Sequence, residues 1–223
     1  VVEGRWDVEF PLDIFQTGEY SISAGGKGND WAVQVKAADV SHGKIVDKLL
    51  KEYLKGFSPS LANLSLTGTT SLETIIRHVG AVTEIAGTYR MTGTTLNAPD
   101  MPLAIQEIAV DLPFDLVYPP SGKSPPFSPA PGFIRFHTIQ RERLTIDSLQ
   151  IPLIIAQNML EVPEPVILPF FGGEIHLYGV QVDDVLSPTR SRFGVSIDGV
   201  DLGQMTRRLT GTEYPGMINA DFG

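Results

Sequence analysis

Four histidines, His42, His78, His137 and His176, are the side chains best suited to move a proton or hold a metal near neutral pH. No two of them stand at the H-x-x-H or HExxH spacing that brings ligands to one helix face. His137 and His176 alternate with apolar neighbours, which puts them on the polar side of strands. Asp183-Asp184 and Asp198-Gly199-Val200-Asp201 have the composition of calcium loops but lack the EF-hand spacing and its closing glutamate. Aspartate beside glycine is a turn signal instead. Gly25-Gly26-Lys27-Gly28 lies between strand-like segments, as a hairpin turn does, and not before a helix, as a phosphate loop must. No G-x-S-x-G elbow, P-loop or GxGxxG-helix unit is present. The chain has 0 cysteines, which excludes thiolate catalysis, disulfides and Cys-based metal sites. Asn63-Leu64-Ser65 matches the glycosylation sequon in a strand-like setting without a secretory signal, and reads as a chance match. The expectation from these residues is a non-enzymatic protein with no metal and no cofactor.

The elements around these residues follow from composition and pattern. Among 223 residues stand 22 Gly and 17 Pro, with many Val, Ile and Thr, which points to short strands joined by turns. A helical bundle, a coiled coil and a disordered chain are excluded. The formal net charge is −9, and the 17 Lys and Arg form no basic run, so no nucleic-acid face is expected. That charge also disfavours adsorption of the chain as a whole to an anionic lipid surface. No stretch reaches the roughly 18 apolar residues of a transmembrane helix. The chain opens on Val1-Val2-Glu3 and stops at Asp221-Phe222-Gly223 within a strand-like pattern. It therefore reads as a fragment of a longer protein, with any targeting or anchoring segment outside it.

One pattern recurs: apolar-x-apolar, two other residues, apolar-x-apolar. It occurs at Val33, Val35, Ala38 and Val40, at Leu103, Ile105, Ile108 and Val110, and at Leu144, Ile146, Leu149 and Ile151. Two further copies are Ile175, Leu177, Val180, Val182 and Val195, Ile197, Val200, Leu202. Alternation marks a strand buried on one face. The extra residue shifts the phase, and a β-bulge would absorb it while keeping all four apolar side chains on one face. Two short strands and a turn per copy is the other reading.

Coarser repeats frame these strands. Gly132-Phe133-Ile134, Gly173-Glu174-Ile175 and Gly216-Met217-Ile218 each open a strand-like run, 41 and 43 residues apart. Val33–Val40 also matches Val195–Leu202 at an offset of 162. Each is followed by helix-like sequence. The first helix, 41–55, carries Ile45, Val46, Leu49, Leu50, Tyr53 and Leu54, with Ser41 to cap it and Gly56 to end it. Its stripe of Ile45, Leu49 and Tyr53 is expected against the sheet's apolar face. The second carries Leu202, Met205 and Leu209, with Gly211 as the stop. A third helix is possible over Leu72–Arg77, between strand signals at Leu64–Thr67 and Gly87–Leu96. The stretch 119–131 is a Pro-rich loop, and its Pro126-Phe127-Ser128-Pro129 meets the bare PxxP form by chance. The same strand pattern lies on both sides of it, so 1–223 is expected to form one repeat-built β domain. The expected fold is mainly β: a curved, bulged, largely antiparallel sheet with one or two short helices packed on it or capping it.

Phe171-Gly172-Gly173-Glu174-Ile175-His176-Leu177, then Val195–Leu202, a short helix, and Tyr214-Pro215-Gly216-Met217-Ile218-Asn219-Ala220 resemble the AsmA-like family, nearest its YdbH and TamB branch. The earlier run from Val33 through the helix to Leu64-Ser65-Leu66-Thr67-Gly68-Thr69 repeats the scheme. Asn219-Ala220-Asp221 departs from it, where a second glycine is more typical. The resemblance implies a β-groove in a periplasmic protein, anchored in the inner membrane in its full-length form. It implies transport of phospholipid toward the outer membrane and carries no catalytic residues.

On that basis the groove would be lined by Val33, Val35, Ile105, Ile108, Val110, Leu144, Ile146, Leu149, Ile175, Leu177, Val180, Val182, Val195 and Ile197. The partners would be a phospholipid or other acyl-chain ligand and neighbouring segments of the same longer chain. A one-faced sheet must cover its apolar side, and each methylene removed from water is worth about 0.8 kcal/mol. Acyl chains could supply that cover. So could a second sheet, which would make a closed sandwich serving as a structural or protein-interaction module. A hydrolytic enzyme on a β scaffold is the third possibility, marked by a polar pocket with perturbed carboxylates.

Overall fold

The computed structural model describes residues 5–12, 14, 16–61, 63–119, 130–142, 144–187 and 190–223. The chain begins with β1 (Arg5–Leu12), β2 (Glu19–Lys27) and β3 (Asp30–Ser41). A helical stretch follows, made of α1 (His42–Ile45), a π turn (Val46–Leu50) and α2 (Lys51–Phe57). Then come β4 (Ser65–Leu66), β5 (Thr69–Val79), β6 (Val82–Ala98), β7 (Leu103–Tyr118), β8 (Gly132–Arg141) and β9 (Leu144–Ala156). The last part holds β10 (Met159–Glu161), β11 (Val166–Phe170), β12 (Gly173–Asp183), β13 (Arg190–Asp201), α3 (Leu202–Thr210) and β14 (Met217–Phe222).

All strands belong to one 14-stranded sheet, ordered β1-β2-β3-β5-β6-β7-β8-β9-β10-β12-β13-β14. β4 pairs with β6 beside β5, and β11 pairs with β12 beside β10. Neighbours on this path are antiparallel, and the sheet is open and curved, so the mainly β, bulged, antiparallel fold is the one observed. Gly28, at a φ of 63°, turns β2 into β3, as the glycine-rich segment required. Gly132 and Gly173 open their strands and Gly216 stands just before β14. β8 is short, so beyond its start β7 and β9 meet in parallel at Phe114 and Ile155. Asn158 prolongs that seam. Its Oδ1 accepts from the Val117 N–H at 2.8 Å and its Nδ2 donates to the Val117 carbonyl at 2.7 Å. The buried amide thus continues the ladder as a backbone would. Residues 120–129 of the Pro-rich loop, including the PxxP match, lie outside the described residues.

The phase breaks are bulges, not turns. Glu107, Ser148, Gly179 and Gly199, each the second residue of its central pair, have φ of 50°, 48°, 60° and 64°. The β12–β13 register slips between Tyr178 and Gln181, and the β13–β14 register between Ile197 and Val200. In β9, Leu144, Ile146, Leu149 and Ile151 are half-buried while Thr145, Asp147, Ser148 and Gln150 are exposed. The copy in β3 sits two residues further on. Its left-handed residue is Asp39, at φ 50°, and its register slips between Ala37 and Val40. Val33, Val35, Ala37 and Val40 therefore share a face, and Ala38 does not. The self-match is corrected with it: bulges Asp39 and Gly199, and helix caps Ser41 and Asp201, both stand 160 apart, not 162. Alternating apolar residues match themselves every two positions, so pattern alone could not fix the frame.

Three helix expectations change. Leu72–Arg77 is the middle of β5, because Thr69, Thr70, Thr74, Ile75 and Ile76 are β-branched and pair on both sides with β3 and β6. The first helix runs past Gly56 to Phe57, and Ser58 is its extended cap. Its buried side chains among those described are His42 and Val46, while Tyr53 is 71% exposed, so the Tyr53 end of the Ile45–Leu49–Tyr53 stripe does not lie on the sheet. The π turn adds a residue and rotates the later turns away. The Leu49 side chain is outside the described residues. The second helix is capped as expected, with Asp201 accepting from the Gln204 N–H at 2.9 Å and Gly211 left-handed at φ 81°.

Candidate apolar groove

Cross-strand register assembles the apolar residues into rungs along one face. One rung runs Val8, Ala24, Val33, Ile76, Ile85, Leu116. The next runs Phe10, Ile22, Val35, Thr74, Gly87, Phe114, then Ile155, Leu160 and Val182. A third joins Val40, Thr70, Met91, Val110, Ile134 and Ile151. Below the bulges lie Leu66, Leu96, Ile105, Ile139 and Ile146. Beyond the seam, Val166, Leu177 and Val195 share a rung, as do Leu168, Ile175 and Ile197. Ile108 stands opposite Thr94 on the same face, and Leu144 stands at the end of its strand opposite Arg141. The fourteen sequence-derived positions thus fall on one side of a single sheet.

Leu112, Ile134, Leu149, Ile151, Leu160, Leu177 and Val180 all pack on one cluster of Leu153, Val162 and Val166. Leu177 and Val180 therefore point to the same side across their bulge. Side chains from β7 and from β12 meet at that cluster, so the sheet curls toward its apolar face. Nothing else covers this face among the described residues. The helices lie at strand ends, the first against β4 and α3 against β13 and β14. The first is held there by His42, whose Nδ1 lies 3.2 Å from both the Thr67 carbonyl and Thr94 Oγ1. Of the fourteen positions, Val110 is buried and the rest are half-buried. Among the described residues the buried apolar side chains are Val and Ala with a single leucine, Leu153. A half-buried apolar face of this length has room for a further apolar layer.

The opposite face is polar and internally paired. Lys36 Nζ meets Glu73 at 3.0 Å, Arg90 meets Asp111 at 3.3 Å, and His176 meets Glu174 at 2.9 Å. The Lys36 ammonium, by hydrogen bond and by charge, holds the Glu73 carboxyl below its usual range. Burial first, then the nearby Glu84 charge, pushes Asp115 up. One grouping on this side has no signal in the sequence. The register sets Glu107, His137 and Ser148 abreast on β7, β8 and β9, around a hollow of about 590 Å³ that Arg135 also lines. No hydrogen bond joins the three, so the nucleophile–base contact of a hydrolase is not made. Asp183 ends its strand and Asp184 opens the turn after it, whereas Asp198-Gly199 is a bulge and not a turn. Among the described residues no group of His, Asp and Glu could hold a metal, and no helix is long and apolar enough to cross a membrane.

In comparisons with known proteins, no family model, curated protein or solved structure matches this chain.

Proposed function

We propose that the apolar face is a groove that shields phospholipid acyl chains, in a periplasmic AsmA-like protein carrying lipid between inner and outer membranes. The observation that carries this reading is the run of half-buried apolar rungs, from Val33 and Val35 to Val195 and Ile197, on an open curved sheet with no second layer over it among the described residues. Acyl chains fit such a face because they need no hydrogen-bond partner, tolerate a surface without pockets, and gain about 0.8 kcal/mol for each methylene shielded. The headgroup would stay in water at the strand ends. The internally paired charges of the other face would keep that side solvated. A second sheet over the same face would have to come from outside the described strands, which form one open sheet.

Native mass spectrometry of the purified chain tests the reading. The expected result is adduct masses of whole phospholipids that survive purification and are removed by detergent. A chain that purifies lipid-free and takes up no phospholipid from vesicles would contradict it.

A further inference from the structure

We propose that a phospholipid over β2 to β7 is held in one orientation, with its headgroup at the rim opposite the first helix and its chains running toward that helix. This rests on the acyl-chain groove proposed above and adds which strand ends receive the polar group. The register carries one rung past the apolar ones. Gly26, Trp31, His78, Thr83 and Tyr118 stand abreast on β2, β3, β5, β6 and β7. Each lies two residues along its strand from the rung of Ala24, Val33, Ile76, Ile85 and Leu116, with no register shift between. The rung therefore ends the same face of the sheet. Trp6 on β1 falls at the same register position.

The chemistry of this rung differs from that of the rungs below it. Trp31 stacks on His78 with ring centroids 5.4 Å apart, and His78 Nδ1 lies 2.9 Å from Thr83 Oγ1. Tyr118 is 62% exposed. Tryptophan and tyrosine join an apolar ring to a polar tip, and they favour places where one end is apolar and the other wet. The Trp31 indole N–H and the Tyr118 phenol O–H are donors of the kind that phosphate and ester oxygens accept. An occupant that is apolar over the inner rungs and polar at the last one is an amphiphile. The helix end of the same face offers no such place, because Val40 and Ala98 are buried there and His42 and Val46 of the first helix are buried with them. A headgroup at that end would lose its water, whereas at Tyr118 it keeps it. One leaflet of a bilayer's hydrocarbon is about 15 Å deep, or between four and five strand residues at about 3.3 Å each. Chains entering at Trp31 and Tyr118 thus pass over Val33 and Leu116 and then over Val35 and Phe114. Charges at this rim are of both signs, Lys27 standing opposite Asp30 across the β2–β3 turn, so the rung reads the polarity of the amphiphile and not the charge of its headgroup.

The chain's 2 tryptophans, Trp6 and Trp31, both stand at this level and report on it without any substitution. The chain is loaded from phosphatidylcholine vesicles whose lipid carries a nitroxide either on the headgroup or near the end of an acyl chain, and is then freed of vesicles by gel filtration. The headgroup label should quench tryptophan fluorescence severalfold more than the chain-end label, and phosphatidylglycerol should give the same order. In W6F/W31F/F114W the probe sits two rungs deeper, and the order should invert. Equal quenching by the two labels, or stronger quenching of Trp6 and Trp31 by the chain-end label, in a chain that retains lipid would overturn the orientation and leave the groove standing. So would an order that reverses with phosphatidylglycerol. Quenching that vanishes when the vesicles are removed would mean that this rim meets a bilayer surface, and it too would overturn the proposal. A chain that takes up no lipid from either vesicle would remove the groove and the orientation together.

Discussion

Ile105→Asp puts a carboxylate in the middle of the apolar face. Ile105 is half-buried between Leu96 and Ile139 in the rung below the bulges. A fully buried isoleucine contributes about 1.5–3 kcal/mol, so a half-buried one contributes about 1–2 kcal/mol. Replacing a β-branched residue by aspartate in a strand adds about 1 kcal/mol. The expected loss is therefore about 2–3 kcal/mol, because in the empty groove the carboxylate still reaches water. In a closed core the same carboxylate would be unpaired and dry, and the loss would exceed about 4 kcal/mol. A bound acyl chain restores that dry setting, which costs at least about 3 kcal/mol and weakens binding over a hundredfold. Urea unfolding gives the first quantity and the lipid content of the purified variant gives the second. A cooperative, folded variant that has lost its lipid is the expected pair. An unfolded variant would mean the face is closed, and a folded one with undiminished lipid would mean the acyl chain lies elsewhere.

Leu153→Ala should behave oppositely, costing about 2–4 kcal/mol in urea unfolding, since Leu153 is 7% exposed and anchors the cluster where the sheet curls. Asn158→Leu removes both bonds to the Val117 backbone and leaves buried peptide groups unpaired, with an expected loss of about 2–3 kcal/mol. Glu107→Gly should stabilise by up to about 1 kcal/mol, because Glu107 holds a left-handed bulge conformation that glycine adopts freely. A loss there would show that the Glu107 side chain has a stabilising role of its own. The Asp201 carboxyl is held below its usual range first by the Gln204 backbone N–H and then by the Gln204 side-chain amide. Its contribution to α3 is thus complete above the unfolded aspartate value near about pH 4 and fades as pH falls through the lowered folded value. An NMR titration that finds Asp201 at an ordinary aspartate midpoint would refute the cap.

The bulges were the most legible feature of the sequence, because a phase break in an apolar alternation has few structural solutions. In four copies the phase break falls between the two central residues, and the backbone is left-handed there, at Glu107, Ser148, Gly179 and Gly199. The frame of the β3 copy was not legible. Val33, Val35, Ala37, Ala38 and Val40 offer two apolar registers, and only pairing with Leu72 and Thr70 selects one. Leu72–Arg77 misled because a short run with Leu72, Ile75 and Ile76 fits helical and extended spacing alike, and its two long neighbours decided the matter. The π turn at Val46–Leu50 has no sequence mark, so the exposure of Tyr53 could not be foreseen. The openness of the face was also beyond pattern. Alternation says that one side is apolar, and only the strand order says that nothing in the described chain covers it.

Site-specific photo-crosslinking on adjacent residues of β9 tests the groove most directly. Ile146 faces the apolar side and Thr145 the polar side, one residue apart in a well-paired strand. A benzophenone side chain at Ile146 should yield a phospholipid adduct in cells or with vesicles, and the same side chain at Thr145 should yield none. Equal adducts at both positions, or adducts at neither, would contradict an acyl chain held on the apolar face.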